Sequence, residues 1–210
     1  MTPEQIEKDL KAFLSDSYPN ITVKVVPWAE DKTRLALYFC EEKFALLYPQ
    51  QRYHYLIHSI PEEYCEAHLQ NTVWFELAPG EKPEDLYYLD EELMDSIAPD
   101  VLMAVERSGS IAALDDLLCP SSQGVKPEEC YGDFRHFKKI LLEKGFKEQG
   151  EFNEVSDICH VMMSKGGYCD CEVLFNVVET SRLKSQYWKE RASAYQIDDS
   201  GDPSLRNSEN

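Results

Sequence analysis

Ile21-Thr22-Val23-Lys24-Val25-Val26 and Arg34-Leu35-Ala36-Leu37-Tyr38-Phe39 flank a polar turn that runs from Pro27 to Lys32. The first run is short and β-branched. The second alternates, with Leu35, Leu37 and Phe39 on one face, which is the period of a half-buried strand. Together they read as a β-hairpin. Upstream, Thr2-Pro3 followed by Gln5 is a helix-start signature, because the hydroxyl can cap, proline suits the first turn and glutamine can reach back. It predicts a helix over 3–15 with Ile6, Leu10, Phe13 and Leu14 on one face, ended by Tyr18-Pro19-Asn20. Downstream, Tyr53, Leu56, Ile57 and Ile60 form a helical stripe within Pro49 to Ile60, and Pro61 opens a further helix to about Gln70. Thr72 to Leu77 reads as a third strand. Pro79-Gly80 turns the chain into a helix that starts at Pro83 and carries Leu86, Leu89, Leu93 and Ile97. The order through residue 97 is α-β-β-α-α-β-α, an α+β arrangement.

Residues 100–118 read as helical, interrupted by Ser108-Gly109-Ser110, and Cys119 to Glu129 reads as a linker rich in proline and serine. Beyond it, Asp133 to Lys144 repeats apolar residues at Phe134, Phe137, Ile140 and Leu141 and stops at Gly145. Glu154 to Lys165 does the same with Val155, Ile158, Cys159, Met162 and Met163, before Gly166-Gly167. Cys171 to Val178 is a strand candidate. An amphipathic stretch with Leu183, Tyr187 and Trp188 follows, its two aromatics a candidate contact surface, and the segment from Ile197 is polar enough to stay disordered. The expected organisation is an α+β domain over 1–107, a small, mainly helical, cysteine-bearing domain with a short strand over 110–180, and a C-terminal helix with an acidic tail over 181–210.

Charge narrows the partners. The chain of 210 residues carries 21 Lys+Arg against 39 Asp+Glu, a net −18, and residues 1–106 alone hold 21 acids against 8 bases, a balance of −13. Nucleic acid is repelled by such a surface, since binding it draws on basic patches that release counterions; a basic or neutral protein partner suits it. No apolar run approaches the 18 or so residues of a membrane span. Met1 to Leu14 shows no secretory pattern, so the cytoplasm is the expected compartment. Seven cysteines without an export signal read as reduced thiols, core fillers or metal ligands.

Phe44, Gln51-Arg52, His54 and Leu56-Ile57, placed after a strand that ends at Phe39, make residues 4–97 resemble a BolA-type domain, a fold related to KH domains. That resemblance implies a non-enzymatic cytoplasmic adaptor for monothiol glutaredoxins, able to share an iron–sulfur cluster, and in some members nucleic-acid binding. The family's last strand starts with His-Ala-Leu, the histidine being the cluster ligand, whereas the aligned stretch here is Thr72-Val73-Trp74-Phe75. Residues 110–178 resemble an uncharacterised bacterial domain of unknown function through Gly166-Gly167-Tyr168-Cys169-Asp170-Cys171-Glu172-Val173 and an upstream Cys130 that leads into Arg135-His136.

Cys169 and Cys171, one residue apart at a strand start, would project their thiols to the same side. Zinc takes four tetrahedral N or S donors, so Cys130 is the natural third ligand and His136, off the apolar stripe, the fourth, with Cys119 or Glu172 as substitutes. Two other readings stay open: small hydrophobes flanking a buried strand, and a thiol redox pair, against which Asp170 and Glu172 weigh by disfavouring the thiolate. His54 and His58, and Cys65 and His68, share helix faces at ligand spacing, although each pair also borders a core stripe; Cys40 and Cys159 read as packing. No Gly-x-Ser-x-Gly elbow, phosphate loop or dinucleotide fingerprint occurs. The functional expectation is an adaptor in iron–sulfur or thiol homeostasis with a zinc-type site in its second half, an iron–sulfur cluster being the weaker cofactor. The alternatives are an interaction module with structural cysteines, a thiol–disulfide oxidoreductase and a KH-like nucleic-acid binder.

Overall fold

In the computed structural model, Thr2 accepts the Gln5 N–H at 3.3 Å on its hydroxyl and starts α1 (Pro3–Leu14). The structure describes residues 1–86, 90–121, 126–148 and 153–194. The chain divides into two units, Met1–Ala98 and Pro99–Asn210.

In the first unit, β1 (Thr22–Pro27) pairs antiparallel with β2 (Leu35–Cys40), Val23 opposite Phe39 and Val25 opposite Leu37. A 3-10 turn at Glu42–Leu46 leads into α2 (Pro49–His58) and α3 (Glu62–His68), after which β3 (Thr72–Leu77) pairs parallel with β2. The sheet order is β1-β2-β3. Alternation sends Val23, Val25, Leu37 and Phe39 to the face covered by Ile6, Leu10 and Leu14 of α1 and Leu56 of α2. Each such fully buried aliphatic side chain contributes about 1.5–3 kcal/mol. Phe75 turns to the other face and stacks on Tyr38 at 4.9 Å, so it packs apart from this core, whereas Trp74 lies against Phe39 at 5.1 Å.

The helix expected from Pro83 is only a 3-10 turn, Pro83–Asp85, with Leu86 extended at its end. The long helix, α4 (Glu91–Arg107), starts later because the Asp90 carboxylate accepts the N–H groups of Glu92 and Leu93 at 2.8 and 3.2 Å. Tyr87, Tyr88 and Leu89, and the tail from Ile197, lie outside the described residues.

In the second unit, Gly109, at φ 74°, makes the left-handed break between α4 and α5 (Ser110–Leu118). There follow α6 (Arg135–Glu143), α7 (Glu154–Ser164), a single turn α8 (Asp170–Glu172) that runs into a π-type turn at Val173–Val177, and α9 (Arg182–Ala194). Its core holds Leu114, Phe137, Leu141, Val155, Met162 and Leu174. Asp115 accepts the Arg182 N–H at 3.0 Å and the Leu183 N–H at 3.2 Å, capping α9.

The strand expected over Cys171 to Val178 is instead helical. β-propensity depends on a neighbour, and the described residues of this unit contain no strand to accept its ladder bonds. The backbone therefore closes on itself, Val173 N–H to Cys169 O at 3.0 Å and Val178 N–H to Val173 O at 3.3 Å.

Candidate metal centre

The centre forms where the chain enters α6. Gly132, at φ 74°, turns the backbone after Cys130. Asp133 then holds Arg135 with both carboxylate oxygens, at 2.7–3.0 Å. From the other side, α7 ends at Gly166, φ 85°, whose successor donates its N–H to Met162 O at 2.9 Å. Gly167 admits no side chain, because a Cβ there would sit 2.7 Å from Val177 Cγ2 and 3.2 Å from Val173 Cα. The glycine pair thus delivers the chain directly to Cys169.

Asp170 joins the two segments. Its N–H donates to Asp133 O at 3.0 Å, while its wholly buried carboxylate accepts the N–H groups of Phe137 (2.9 Å, Oδ1) and His136 (3.1 Å, Oδ2). These are first-turn donors of α6 with no partner inside their own helix, and the negative charge sits at the positive end of its dipole. Burial nevertheless pushes the Asp170 carboxyl up to about 6, against the pull of the two N–H groups. The capping role of Asp170 has only a faint trace in the sequence, an acid between two cysteines beyond a Gly-Gly pair. The usual signature places a cap at the helix's own start, and this one is 34 residues away from His136.

With Asp170 held, the residues on either side of it face Cys130. The three sulfurs of Cys130, Cys169 and Cys171 all lie within 4.8 Å of one another, and those of Cys169 and Cys171 are 3.3 Å apart. The convergence expected from a pleated strand is achieved differently. Cys169 is extended (φ −153°, ψ 174°) as the residue that starts α8, and Cys171 lies within that turn. Cys169 is buried; Cys130 and Cys171 are half-buried.

Electrostatically the trio favours one thiolate. The neighbouring Cys169 and Cys171 thiols, aided by the N–H groups of Gly132 and Cys171, hold the Cys130 thiol well below its ordinary range despite burial. Cys169 and Cys171 are pushed up, chiefly by Cys130 and also by burial, and Glu172 adds to the effect on Cys171. The predicted opposition of the acidic neighbours is felt at Cys171 through Glu172, while Asp170 and a Cys130 thiolate repel each other, which helps keep the Asp170 carboxyl up. A cation that replaces the shared protons relieves the repulsion among three thiolates, and thiolate donors suit zinc and other soft ions. Tetrahedral zinc with bonds of about 2.3 Å places its sulfurs about 3.8 Å apart, so the closest pair needs to open by only about half an ångström.

The other candidate residues are placed as follows. His136 stands on α6 with Nε2 3.0 Å from Glu129 O and is not one of the clustered donors. Glu172 accepts the Tyr168 N–H at 2.8 Å, and Cys119 Sγ lies 3.1 Å from Gln186 Oε1. In the first unit, His54 and His58 rings are 4.3 Å apart, but His58 Nδ1 is 2.8 Å from the His54 carbonyl and burial holds the His54 imidazole below its usual range. Cys65 packs on the core and His68 lies edge-on to Tyr64. Gln51 and Arg52 are structural: Gln51 accepts the Tyr48 N–H at 2.8 Å, and the buried Arg52 donates to Leu47 O at 3.0 Å and Glu76 O at 2.7 Å and pairs with Glu81. Tyr187 and Trp188 are exposed and form an edge-on pair at 5.2 Å.

Among the described residues, the centre is a cluster of three thiols, carried by the loop before α6 and the turn at α8, able to hold a metal ion. Residues 117–176, which contain all three cysteines, match the family described as "Protein of unknown function (DUF2695)". No curated protein and no solved structure matches the chain. No described helix is long and apolar enough to cross a membrane.

Proposed function

We propose that the second unit is a zinc–thiolate module and that the chain as a whole is a non-enzymatic cytoplasmic adaptor in thiol or iron–sulfur homeostasis. The observation that carries the metal reading is the convergence of Cys130 with Cys169 and Cys171, some 40 residues away in sequence, within 4.8 Å. Small hydrophobes that merely filled a core would have no reason to bring three sulfurs together at a half-exposed corner. Thiolates select zinc over harder ions; iron held as a cluster usually draws on four cysteines, which makes it the weaker cofactor. Elemental analysis of protein purified without a histidine tag tests this. About one zinc per chain is expected, falling sharply in Cys130→Ser and Cys169→Ser; a preparation with neither zinc nor iron removes the metal reading.

The adaptor reading draws on the resemblance of residues 4–97 to a BolA-type domain, with which the α-β-β-α-α-β order of the first unit is compatible, and on an acidic chain suited to a protein partner. A monothiol glutaredoxin is the proposed partner. Affinity capture with the full chain is expected to recover one, and recovery of no glutaredoxin or cluster protein speaks against it.

A second reading has one observation in its favour, the 3.3 Å approach of Cys169 to Cys171 beside a Cys130 thiol held low. It is thiol–disulfide exchange. It predicts reduction of a disulfide substrate that disappears in Cys169→Ser while metal content plays no part.

A further inference from the structure

Three sulfurs supply three of the four donors that a tetrahedral ion takes, and among the described residues Asp133, Asp170, Glu172 and His136, the candidates for a fourth, are already engaged elsewhere. Both Asp170 oxygens receive N–H groups of α6, at 2.9 and 3.1 Å. Both Asp133 oxygens grip Arg135. Glu172 holds the Tyr168 N–H at 2.8 Å, and His136 Nε2 lies 3.0 Å from Glu129 O. The Asp170 and Asp133 bonds maintain the turn that brings the cysteines together, so drawing either carboxylate inward as a ligand dismantles the geometry it would complete.

Burial in the trio is one-sided. Cys169 is 5% exposed and forms the floor, while Cys130 and Cys171 are both half-buried, so solvent reaches the sulfurs past these two. Structural zinc sites are closed by four protein donors, whereas sites that keep three protein donors exchange the fourth.

We propose that the fourth coordination position of this centre is exchangeable and takes a small soluble thiol as its thiolate. The inference rests on the zinc reading above and extends it to a ligand class. Three thiolates on a divalent ion leave a formal charge of −1, so water bound there is acidified less than at a site built from neutral imidazoles. A soft, polarisable, singly charged donor suits such an ion. Asp170, Glu172 and a chain of net charge −18 oppose polyanions. In the exchange the thiol gives its proton to solvent, its sulfur bonds the ion and a water molecule leaves; no electrons are transferred.

The full chain reconstituted with cobalt(II), whose thiolate charge-transfer absorption counts sulfur donors, tests the proposal. Adding 2-mercaptoethanol is expected to raise that absorption saturably by about one third, from three sulfurs to four. Ethylene glycol, its oxygen counterpart, should leave it unchanged, and His136→Gln and Glu172→Gln should respond as the parent does. If cobalt binds stoichiometrically and the spectrum ignores the thiol, no thiol enters the fourth position; if either substitution changes the spectrum before thiol is added, the chain supplies that donor. Either result refutes the proposal while the metal site stands. Failure to take up cobalt or zinc at all refutes both.

Discussion

Replacing Asp170 by alanine removes the tie between the sulfur-bearing turn and α6. The carboxylate accepts two N–H groups, that of Phe137 buried at 2.9 Å and that of His136 partly buried at 3.1 Å. An orphaned buried donor costs about 1–3 kcal/mol, and loss of a helix cap typically about 1 kcal/mol. Water reaches the His136 N–H more easily than that of Phe137, which sets the sum at about 2–4 kcal/mol for Asp170→Ala. Asp170→Asn keeps one oxygen acceptor and loses the interaction with the helix dipole, for about 1–2 kcal/mol. Urea unfolding followed by circular dichroism, with a chelator and a reductant present so that no metal or disulfide contributes, reads these differences. At a slope of about 2 kcal/mol/M, the alanine variant lowers the midpoint of the affected transition by about 1–2 M, with asparagine between it and the parent. A midpoint for Asp170→Ala within about 0.3 M of the parent would show that the carboxylate is not what anchors the turn.

Four further outcomes follow from the same structure. Zinc at a hundred times its dissociation constant should raise the stability of the second unit by about 2.7 kcal/mol, and the increment should vanish in Cys171→Ser when thermal unfolding is compared with and without metal. Gly167→Ala forces a methyl to within 2.7 Å of Val177 Cγ2 and is expected to cost about 1–3 kcal/mol and to weaken metal uptake; an unaffected melting temperature would contradict the close packing. Arg52→Met strands two carbonyl acceptors and the partly exposed Glu81, an expected loss of about 2–4 kcal/mol in the first unit by denaturant titration. His160 is buried and desolvation lowers its pKa, against the pull of the Ser156 carbonyl and Asp157. The unfolded chain therefore takes a proton that the folded chain refuses, so stability falls as pH drops below about 6.5, by up to about 1.4 kcal/mol per unit, until the lower folded value is reached. His160→Gln should flatten that part of the profile, and an unchanged slope would assign the acid sensitivity to other groups.

Most of the first unit was legible because each element carries its own local signal. The Thr2 cap, the alternation of Leu35, Leu37 and Phe39, and the proline starts at Pro49 and Pro61 all correspond to observed elements. The Pro83 helix failed because a nearby competitor, the Asp90 cap, set the start instead. At the metal centre the residue types were readable and the mechanism of their convergence was not. Cys130, Cys169 and Cys171 come together, yet the valine-rich segment after Cys171 closes into turns for want of a neighbouring strand, and that depends on the rest of the unit. The commitments of His136 and Glu172 to backbone partners are likewise long-range or one-turn choices that spacing alone does not rank.

Asp170 interrupts the two sulfur-bearing residues in sequence and spends its carboxylate on the amides of residues 136 and 137. Metal bound at the thiols, by holding Asp170 in place, is expected to slow solvent exchange of two protons that belong to neither cysteine, and unchanged exchange on metal loading would contradict this coupling. Those two amides would then serve as a gauge of the centre, readable without labelling a single thiol.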